Sequence, residues 1–484
     1  MLRTLLLLPL LGALLIVFLP SRSGALIRRA AIAAAAVTLG WSLWLASAFD
    51  PTVASVQLIE SHVWNPRLGS AFTLGVDGIS LPLVWLATLL AFIAVLASAG
   101  IKDKPKGYYI LLLLLEAAML GVFMARDWSL FYVFWELTLL PLFFLIDRYG
   151  GKNRSHAALN FVLYTMGGSV FMLIALLMLY DVAPGHSFDM GVIREGARLL
   201  PEATQIGIFL GLLIGFGVKM PIFPLHGWLP LAHVEAPSPV SILLSGILLK
   251  MGAYGLIRAV WMLPAAAEAL QGLLMALGMI SLVYGGVLAW KQSDLKAIVA
   301  YSSVSHMGVV LLGLAALNTA GLTGAVMQMV AHGLVAGALF LLIGLLYERT
   351  HTRELADYAS LVKVMPRFAF FTVLAFLAAV GMPGTAGFVA ELHVLVGGFE
   401  RWGAWMALLS LTVLISAAYA IRTIGRLITG PVSVRMQHLP DLTRGEFTAA
   451  AVLTAGSLII GFYPAPMLSL IAASVGRYAH LFAV

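Results

Sequence analysis

The chain has 484 residues, 61% of them hydrophobic and only 11% charged, with a mean hydropathy of +0.99. Soluble domains carry about 25% charged residues, so this composition excludes one and implies an integral membrane protein. The absence of cysteine excludes disulfides, thiolate metal sites and iron–sulfur ligation by this chain. The net charge of +7 fits basic loops at a lipid surface better than nucleic-acid binding. No polar segment is long enough to fold alone, so any redox or nucleotide chemistry must sit on another subunit.

At about 20 residues per span, the apolar runs predict some fourteen transmembrane helices. They lie near 2–19, 30–48, 80–100, 108–125, 128–146, 157–180, 204–224, 239–261, 266–289, 295–315, 320–346, 368–393, 404–428 and 447–470. Met1 to Leu19 has the pattern of a signal peptide, but Arg22, Arg28 and Arg29 follow it and favour a retained helix that starts outside. The longest polar connections are 49–79, 181–203, 347–367 and 429–446. Most of the 29 lysines and arginines then fall on one face, predicted to be cytoplasmic. They include Lys102, Lys104, Lys106, Arg148, Lys152, Arg154, Lys291, Lys296, Arg349, Arg353, Arg422 and Arg435. Arg126, Arg194, Arg258, Arg401 and Arg477 fall on the other face, while Lys219 and Lys250 belong to no loop.

The seventh run, Gly215-Phe-Gly-Val-Lys-Met-Pro-Ile-Phe-Pro-Leu-His226, ends with Lys219 two residues before a proline. Pro221 and Pro224 crowd the carbonyls four residues back, those of Gly217 and Met220, and so break the helix. Val218-Lys-Met-Pro221 is echoed by Val380-Gly-Met-Pro383 in the twelfth run, where Gly381, Gly384 and Gly387 loosen the same region. Paired interrupted helices point to an inverted-repeat transporter core, and a helix broken at membrane depth needs protein or water around its freed carbonyls.

Four charges lie where lipid makes them costly, at roughly 2.5 kcal/mol or more for a lysine at a helix centre. Glu136 is about eight residues, or roughly 12 Å, into the fifth helix, near the middle of a ~30 Å core. Lys219 ends the seventh, Lys250 is central in the eighth, and Glu391 follows the break in the twelfth. They could be two buried ion pairs that fix helix register. Desolvation often exceeds the Coulomb gain of such pairs, however, and a proton-handling role explains all four together.

His306 follows Ser302 by four residues, and His332 follows Gln328 likewise, so each pair shares a helix face. Imidazole is suited to passing protons between lysines near neutral pH. His226 and His233 lie in the connection after the seventh helix, where a solvated or structural role is expected; Trp228 and Trp290 suit the membrane interface. No phosphate-binding glycine loop, H-E-x-x-H or cluster of metal ligands is present.

Phe134-Trp-Glu-Leu137, Phe216-Gly-Val-Lys-Met-Pro221, Leu225-His-Gly-Trp-Leu-Pro230, Ala232-His-Val-Glu-Ala-Pro237, Leu248-Leu-Lys-Met-Gly252, Ala300-Tyr-Ser-Ser-Val-Ser-His306 and Met382-Pro-Gly-Thr-Ala-Gly-Phe388 together resemble the antiporter-like subunits of proton-pumping NADH:quinone oxidoreductase, respiratory complex I. The resemblance runs from about Asp77 to Arg444. It is strongest to the M-type, the equivalent of mitochondrial subunit four, because Glu391 stands where L-type, N-type and Mrp sodium/proton antiporter subunits usually carry lysine. The chain also lacks the lateral helix of the L-type.

The resemblance implies an all-α polytopic fold of about fourteen helices forming one membrane domain. Residues 1–107 hold helices one to three, and 447–484 hold helix fourteen and a tail. Two inverted five-helix repeats lie between them: helices four to eight in 108–261, and nine to thirteen in 266–428, with helices seven and twelve broken. It implies a translocase subunit with a relay in which Glu136 and Lys219 are the input-side pair, Lys250 the centre and Glu391 the exit, with His306 and His332 between. No cofactor is expected on this chain; NADH, FMN, iron–sulfur clusters and quinone belong to partners. L- and N-type subunits are expected to flank it in a bacterial inner membrane, with both termini outside and a thylakoid membrane as the alternative. Other family settings are an Mrp-type antiporter, a membrane-bound hydrogenase and a ferredoxin-driven photosynthetic complex. Leu231 departs from the aspartate that many relatives place before the Ala-His.

Overall fold

The computed structural model of the chain describes residues 1–432 and 436–482, without the side chains of residues 408, 409, 411 and 412. Arg435, one of the basic loop residues, lies outside the described residues. Helix occupies each of the fourteen expected segments. The first five contain α1 (Leu2–Phe18), α2 (Gly24–Trp44), α3 (Ser80–Ala97), α4 (Pro105–Met124), and α5 (Trp128–Leu137) followed by α6 (Leu139–Tyr149). Next come α7 (Arg154–Val182), a surface helix α8 (Met190–Ala197), and α9 (Glu202–Lys219), which stops at the predicted break. The connection after it is not a loop but a short helix, α10 (Trp228–Glu235).

The eighth segment is α11 (Ser238–Leu243), a π-helical turn over Leu244–Leu248, and α12 (Leu249–Met262). After α13 (Pro264–Ala269) come α14 (Gln271–Lys291), α15 (Leu295–Ala315) and α16 (Thr319–Thr350). The short α17 (Leu361–Val364) precedes α18 (Pro366–Ala379) and α19 (Ala386–Trp402), the two halves of the broken twelfth helix. Then follow α20 (Ala407–Ile428), α21 (Arg444–Phe462) and α22 (Ala465–Ala479), the last two dividing a segment expected as one helix. Eleven helical spans among the described residues are long and apolar enough to cross a membrane. Two of them, Ser238–Met262 and Thr319–Thr350, are buried along their whole apolar length and form the axis of the bundle.

The 49–79 connection, expected as polar loop, contains an antiparallel hairpin of β1 (Gln57–Asn65) and β2 (Ser70–Val76). It covers the end of the bundle that carries both termini. The amino group of Met1 pairs with Glu60 of β1. Below the hairpin, Arg258 grips Asp77 with Nη1 at 2.7 Å from Oδ2 and Nη2 at 2.9 Å from Oδ1. Arg126 adds a second cation at 3.4 Å and donates to the carbonyl of Gly75 and the hydroxyl of Ser80. Tyr478 of α22 bonds Arg258, and Ser474 accepts from the Gly78 amide at 2.9 Å. This buried cluster ties α3, α12 and the C-terminal helix to one carboxylate.

At the opposite end the basic connections meet one another as charge sorting implied. Arg353 bonds Asp294 at 2.9 Å and the carbonyl of Val234, while Arg349 holds Glu446 at 2.7 Å.

Burial alone would raise the Asp77 carboxyl, but Arg258 and Arg126 outweigh it and hold it well below the usual carboxylate range. A depressed folded-state value contributes stability above the unfolded value near 4, which is lost only as pH falls through the folded one. The clamp should therefore be intact at pH 5. Asp77→Asn leaves two buried guanidinium groups uncompensated and should cost about 3–5 kcal/mol. Thermal melting of the solubilised chain would show a lower midpoint for the variant at both pH 5 and pH 7.

Candidate functional site

The Asp127 side chain caps α5 by accepting the amides of Ser129 and Leu130, and it also accepts the Ala71 amide of the hairpin at 2.9 Å. That fixes the helix carrying Trp135 and Glu136, with Thr138 immediately past its end. Lys219, at the last residue of α9, is 1% exposed. Its Nζ donates to the Thr138 hydroxyl at 2.9 Å and to the Trp135 carbonyl at 3.3 Å, and lies 4.1 Å from the centre of the Trp135 ring. This is a neutral cradle with a cation–π face, a way to hold an ammonium without an ion partner.

Glu136 is next to Trp135 in sequence, but no ion pair within 4 Å joins it to Lys219 among the described residues. It is half-buried at the edge of the bundle, with Oε1 buried and lacking a hydrogen-bond partner. The break after Lys219 is satisfied by protein. The Gly217 carbonyl accepts from the Ile222 amide at 3.1 Å, and Trp228 Nε1 donates to the Val218 carbonyl at 2.8 Å. Trp228 is fully buried and is not an interface residue as its type suggested, whereas Trp290 is 46% exposed.

Lys250 is fully buried in the first turn of α12. Its Nζ is 2.5 Å from His332 Nδ1 on α16 and donates to the Ser245 carbonyl, inside the π-helical turn, at 2.6 Å. Such turns widen the hydrogen-bond ladder and collect at functional positions. The His332 and His306 rings stand 5.4 Å apart, and His306 Nδ1 lies 3.8 Å from Glu391 Oε1 on α19. Gln328 reaches His306 on the neighbouring helix, at 3.2 Å. Lys250, His332, His306 and Glu391 therefore form one file across α12, α16, α15 and α19.

A void of about 10 Å³, room for one water, is bordered by His306, Gln328, His332 and Glu391. Beyond Glu391 a cavity of about 260 Å³ opens, lined by Pro383, Phe388 and Ser410 among others. Gly381 keeps that end of the file open: its φ is +75°, and a Cβ there would stand 2.5 Å from Glu391 Oε2. No group of three or more potential metal ligands occurs among the described residues.

Three further buried groups escaped the sequence reading. His233, expected in a solvated or structural position, is fully buried with both ring nitrogens unpartnered, stacked 4.5 Å from Phe340. Lys296, sorted with the loops, is 3% exposed and donates to the Ala236 carbonyl at 2.6 Å. Glu116 in α4 is 0% exposed with neither oxygen partnered. A hydropathy reading tolerates one charge in a long apolar run, and nothing else in the sequence marks that glutamate. His226 packs against Phe223 and Tyr284, a structural role as expected.

Residues 125–416 match the family described as NADH:quinone oxidoreductase/Mrp antiporter, transmembrane. Over 463 residues the chain is 41% identical to NADH-quinone oxidoreductase subunit M of Rhodobacter capsulatus, covering 93% of this chain and 89% of that one. It is 42% identical to an NAD(P)H-quinone oxidoreductase chain 4 of Synechococcus elongatus, covering 95% of this chain and 87% of that one. The fold superposes on a chain of respiratory complex I from Thermus thermophilus with a TM-score of 0.92 and 31% identity over the full length of both.

Gly381→Ala should cost about 1–2 kcal/mol through left-handed backbone strain, and it also pushes Glu391 away from His306. Gly425→Ala, in a helix with nothing within 4 Å of a new Cβ, should be neutral or stabilising by about 0.5–1 kcal/mol. Thermal melting of the two variants side by side checks the contrast.

Proposed function

The chain belongs to the NADH:quinone oxidoreductase/Mrp antiporter membrane family, and on that footing we propose that its buried file of ionisable groups is the path of the pumped proton. The chain is an antiporter-like, proton-translocating membrane subunit of a quinone-reducing complex, comparable to subunit M. Redox energy comes from partner subunits. The observation that carries the residue assignment is the continuous contact from Lys250 through His332 and His306 to Glu391, ending on a cavity.

In this scheme Lys250 gives its proton to His332, and the imidazoles and one water hand it to Glu391 and the cavity. Lys219 sits upstream. Glu136 follows Trp135, whose carbonyl Lys219 bonds, and removal or neutralisation of this neighbouring charge is the event that triggers release of a proton from Lys219 toward Lys250. Glu136 stands at the edge of the bundle, where a partner subunit can reach it, and that position suits a trigger. Moving one charge against 100 mV takes about 2.3 kcal/mol, the equivalent of a change of under about two pKa units at 1.36 kcal/mol each. A change in one neighbouring charge is enough.

The same proposal divides 108–261 and 266–428 into two repeats with one broken helix each. It puts L- and N-type subunits on either flank, the basic face in the cytoplasm and both termini outside. NADH, flavin, iron–sulfur clusters and quinone stay on partner subunits.

Lys219→Ala, Lys250→Ala and Glu391→Gln in the assembled complex should each abolish most coupled proton movement, while electron transfer from NADH to an artificial soluble acceptor persists. Acidification of inverted vesicles, measured with a pH-sensitive dye with and without sodium, is the check. Wild-type pumping in the Lys250 variant would falsify the relay, and dependence on sodium would favour the Mrp-type reading.

A further inference from the structure

We propose that Lys250, once the event at Glu136 and Lys219 has driven off its proton, is reloaded through a water-filled inlet that opens at Glu348. This deepens the relay reading above and rests on it. The observation is a cavity of about 300 Å³ at the basic end of the bundle, between α2, α3, α16 and α21. Arg28, Glu348 and Glu446 are its charged lining. Glu446 is already held by Arg349 at 2.7 Å, and Arg28 Nη2 donates to the Leu96 carbonyl at 3.2 Å. Glu348 has no ion pair among the described residues and is exposed to solvent, so it is the group at the mouth free to take up and release protons.

From Glu348 the space narrows to a neck of about 10 Å³, room for one water, bordered by Glu348, Leu345, Gly344 and Ser238. Gly344 sets its width: a Cβ there would stand 2.3 Å from Ser238 Cβ and 2.7 Å from its hydroxyl. Phe340, Gly344 and Glu348 follow one another at four-residue intervals and so share one face of α16. Along that face, Glu348 borders the mouth, Gly344 the neck, and Phe340 stacks on His233.

His233 is the second observation. It is fully buried, and both of its nitrogens lack a partner. An imidazole kept in that condition, stacked on the next residue along that face, is suited to receiving a proton on one nitrogen and releasing one from the other. Past it, Ser241 donates to the His233 carbonyl at 3.4 Å, and Ser245, four residues along the same face, has the carbonyl that holds Lys250. The groups that line the way are, in order, the Glu348 carboxylate, the Ser238 hydroxyl and the His233 imidazole. Water bridges the remaining gaps, because Ser241 bonds the backbone carbonyl of His233 and Lys250 is held by the backbone carbonyl of Ser245. A proton enters at Glu348 as one leaves Lys250 for His332, so charge balances at each exchange.

The test uses the assembled complex in inverted vesicles, and the natural lack of cysteine makes it clean on this chain. Ala99→Cys lines the mouth, and Thr429→Cys is an exposed control at the same end, away from the cavity. Treatment with a bulky, membrane-impermeant cationic thiol reagent should remove most proton movement per electron from the first and none from the second. Glu348→Gln should show the same loss with NADH-to-acceptor electron transfer unchanged, Glu348→Asp should restore pumping, and Gly344→Ala should behave like the glutamine variant.

Undiminished pumping in both Glu348→Gln and the blocked Ala99→Cys overturns the inlet. Lys250→Ala, measured in parallel, separates the two readings. If it stops pumping while the inlet variants do not, the inlet alone falls. If it pumps normally, the relay falls and the inlet with it.

Discussion

An ammonium group in the middle of a hydrocarbon layer must find its acceptors inside the protein, and Lys250 is the place where this chain meets that demand. Its Nζ has His332 Nδ1 at 2.5 Å and the Ser245 carbonyl at 2.6 Å. The second acceptor is available because the backbone widens into a π turn just before the lysine. The demand propagates outward. The helices carrying Lys250 and His332 must be shielded from lipid at membrane depth, and among the described spans, 238–262 and 319–350 are the two whose apolar stretch is wholly buried. The neighbouring helices pack around that axis.

The buried cations are held by different chemistry, and the difference orders them. Lys219 rests on a hydroxyl, a carbonyl and an indole face, none of which takes a proton. Lys250 rests on an imidazole, which does. Glu391 has an imidazole at 3.8 Å and an open cavity beyond. Along the chain of contacts the partners change from fixed dipoles to titratable groups and then to solvent space. A group held by fixed dipoles responds mainly to a nearby charge. A group held by imidazole can pass on what it carries.

Much of this was legible in the sequence because the constraints were severe. Prolines 221 and 383, each just past an apolar run, located both helix breaks to within a few residues. Charges in apolar stretches exposed Lys219, Lys250, Glu136 and Glu391 for the same reason: little else puts them there. What escaped depends on context along the third dimension. Trp228 and His233 fall in a stretch rich in proline and histidine that reads as loop, yet α10 folds back into the protein and buries both. The π turn has no composition signal in Leu-Ser-Gly-Ile-Leu. Gln328 shares a helix face with His332 but bonds His306, since a long amide reaches across a helix interface as easily as along its own. The hairpin was hidden in a connection at the bundle's end whose strands pair mainly with each other, apart from a single bridge between Leu74 and Ala125.

The placement of the strongest ion cluster explains why the others need not brace the fold. Asp77, Arg126 and Arg258 are mutually satisfied, and together with Tyr478 they join the ends of distant helices, which is the work of a structural clamp. The central groups are paired differently from the clamp, with an imidazole, a hydroxyl and backbone carbonyls in place of a bidentate carboxylate. The clamp seals the end of the bundle over α3 and α12, whereas Ser410, in the first turn of α20 near that same end, lines the cavity beyond Glu391. Glu391 therefore has open space on its far side, whereas Lys250 is fully buried with its contacts directed to His332 and the Ser245 carbonyl.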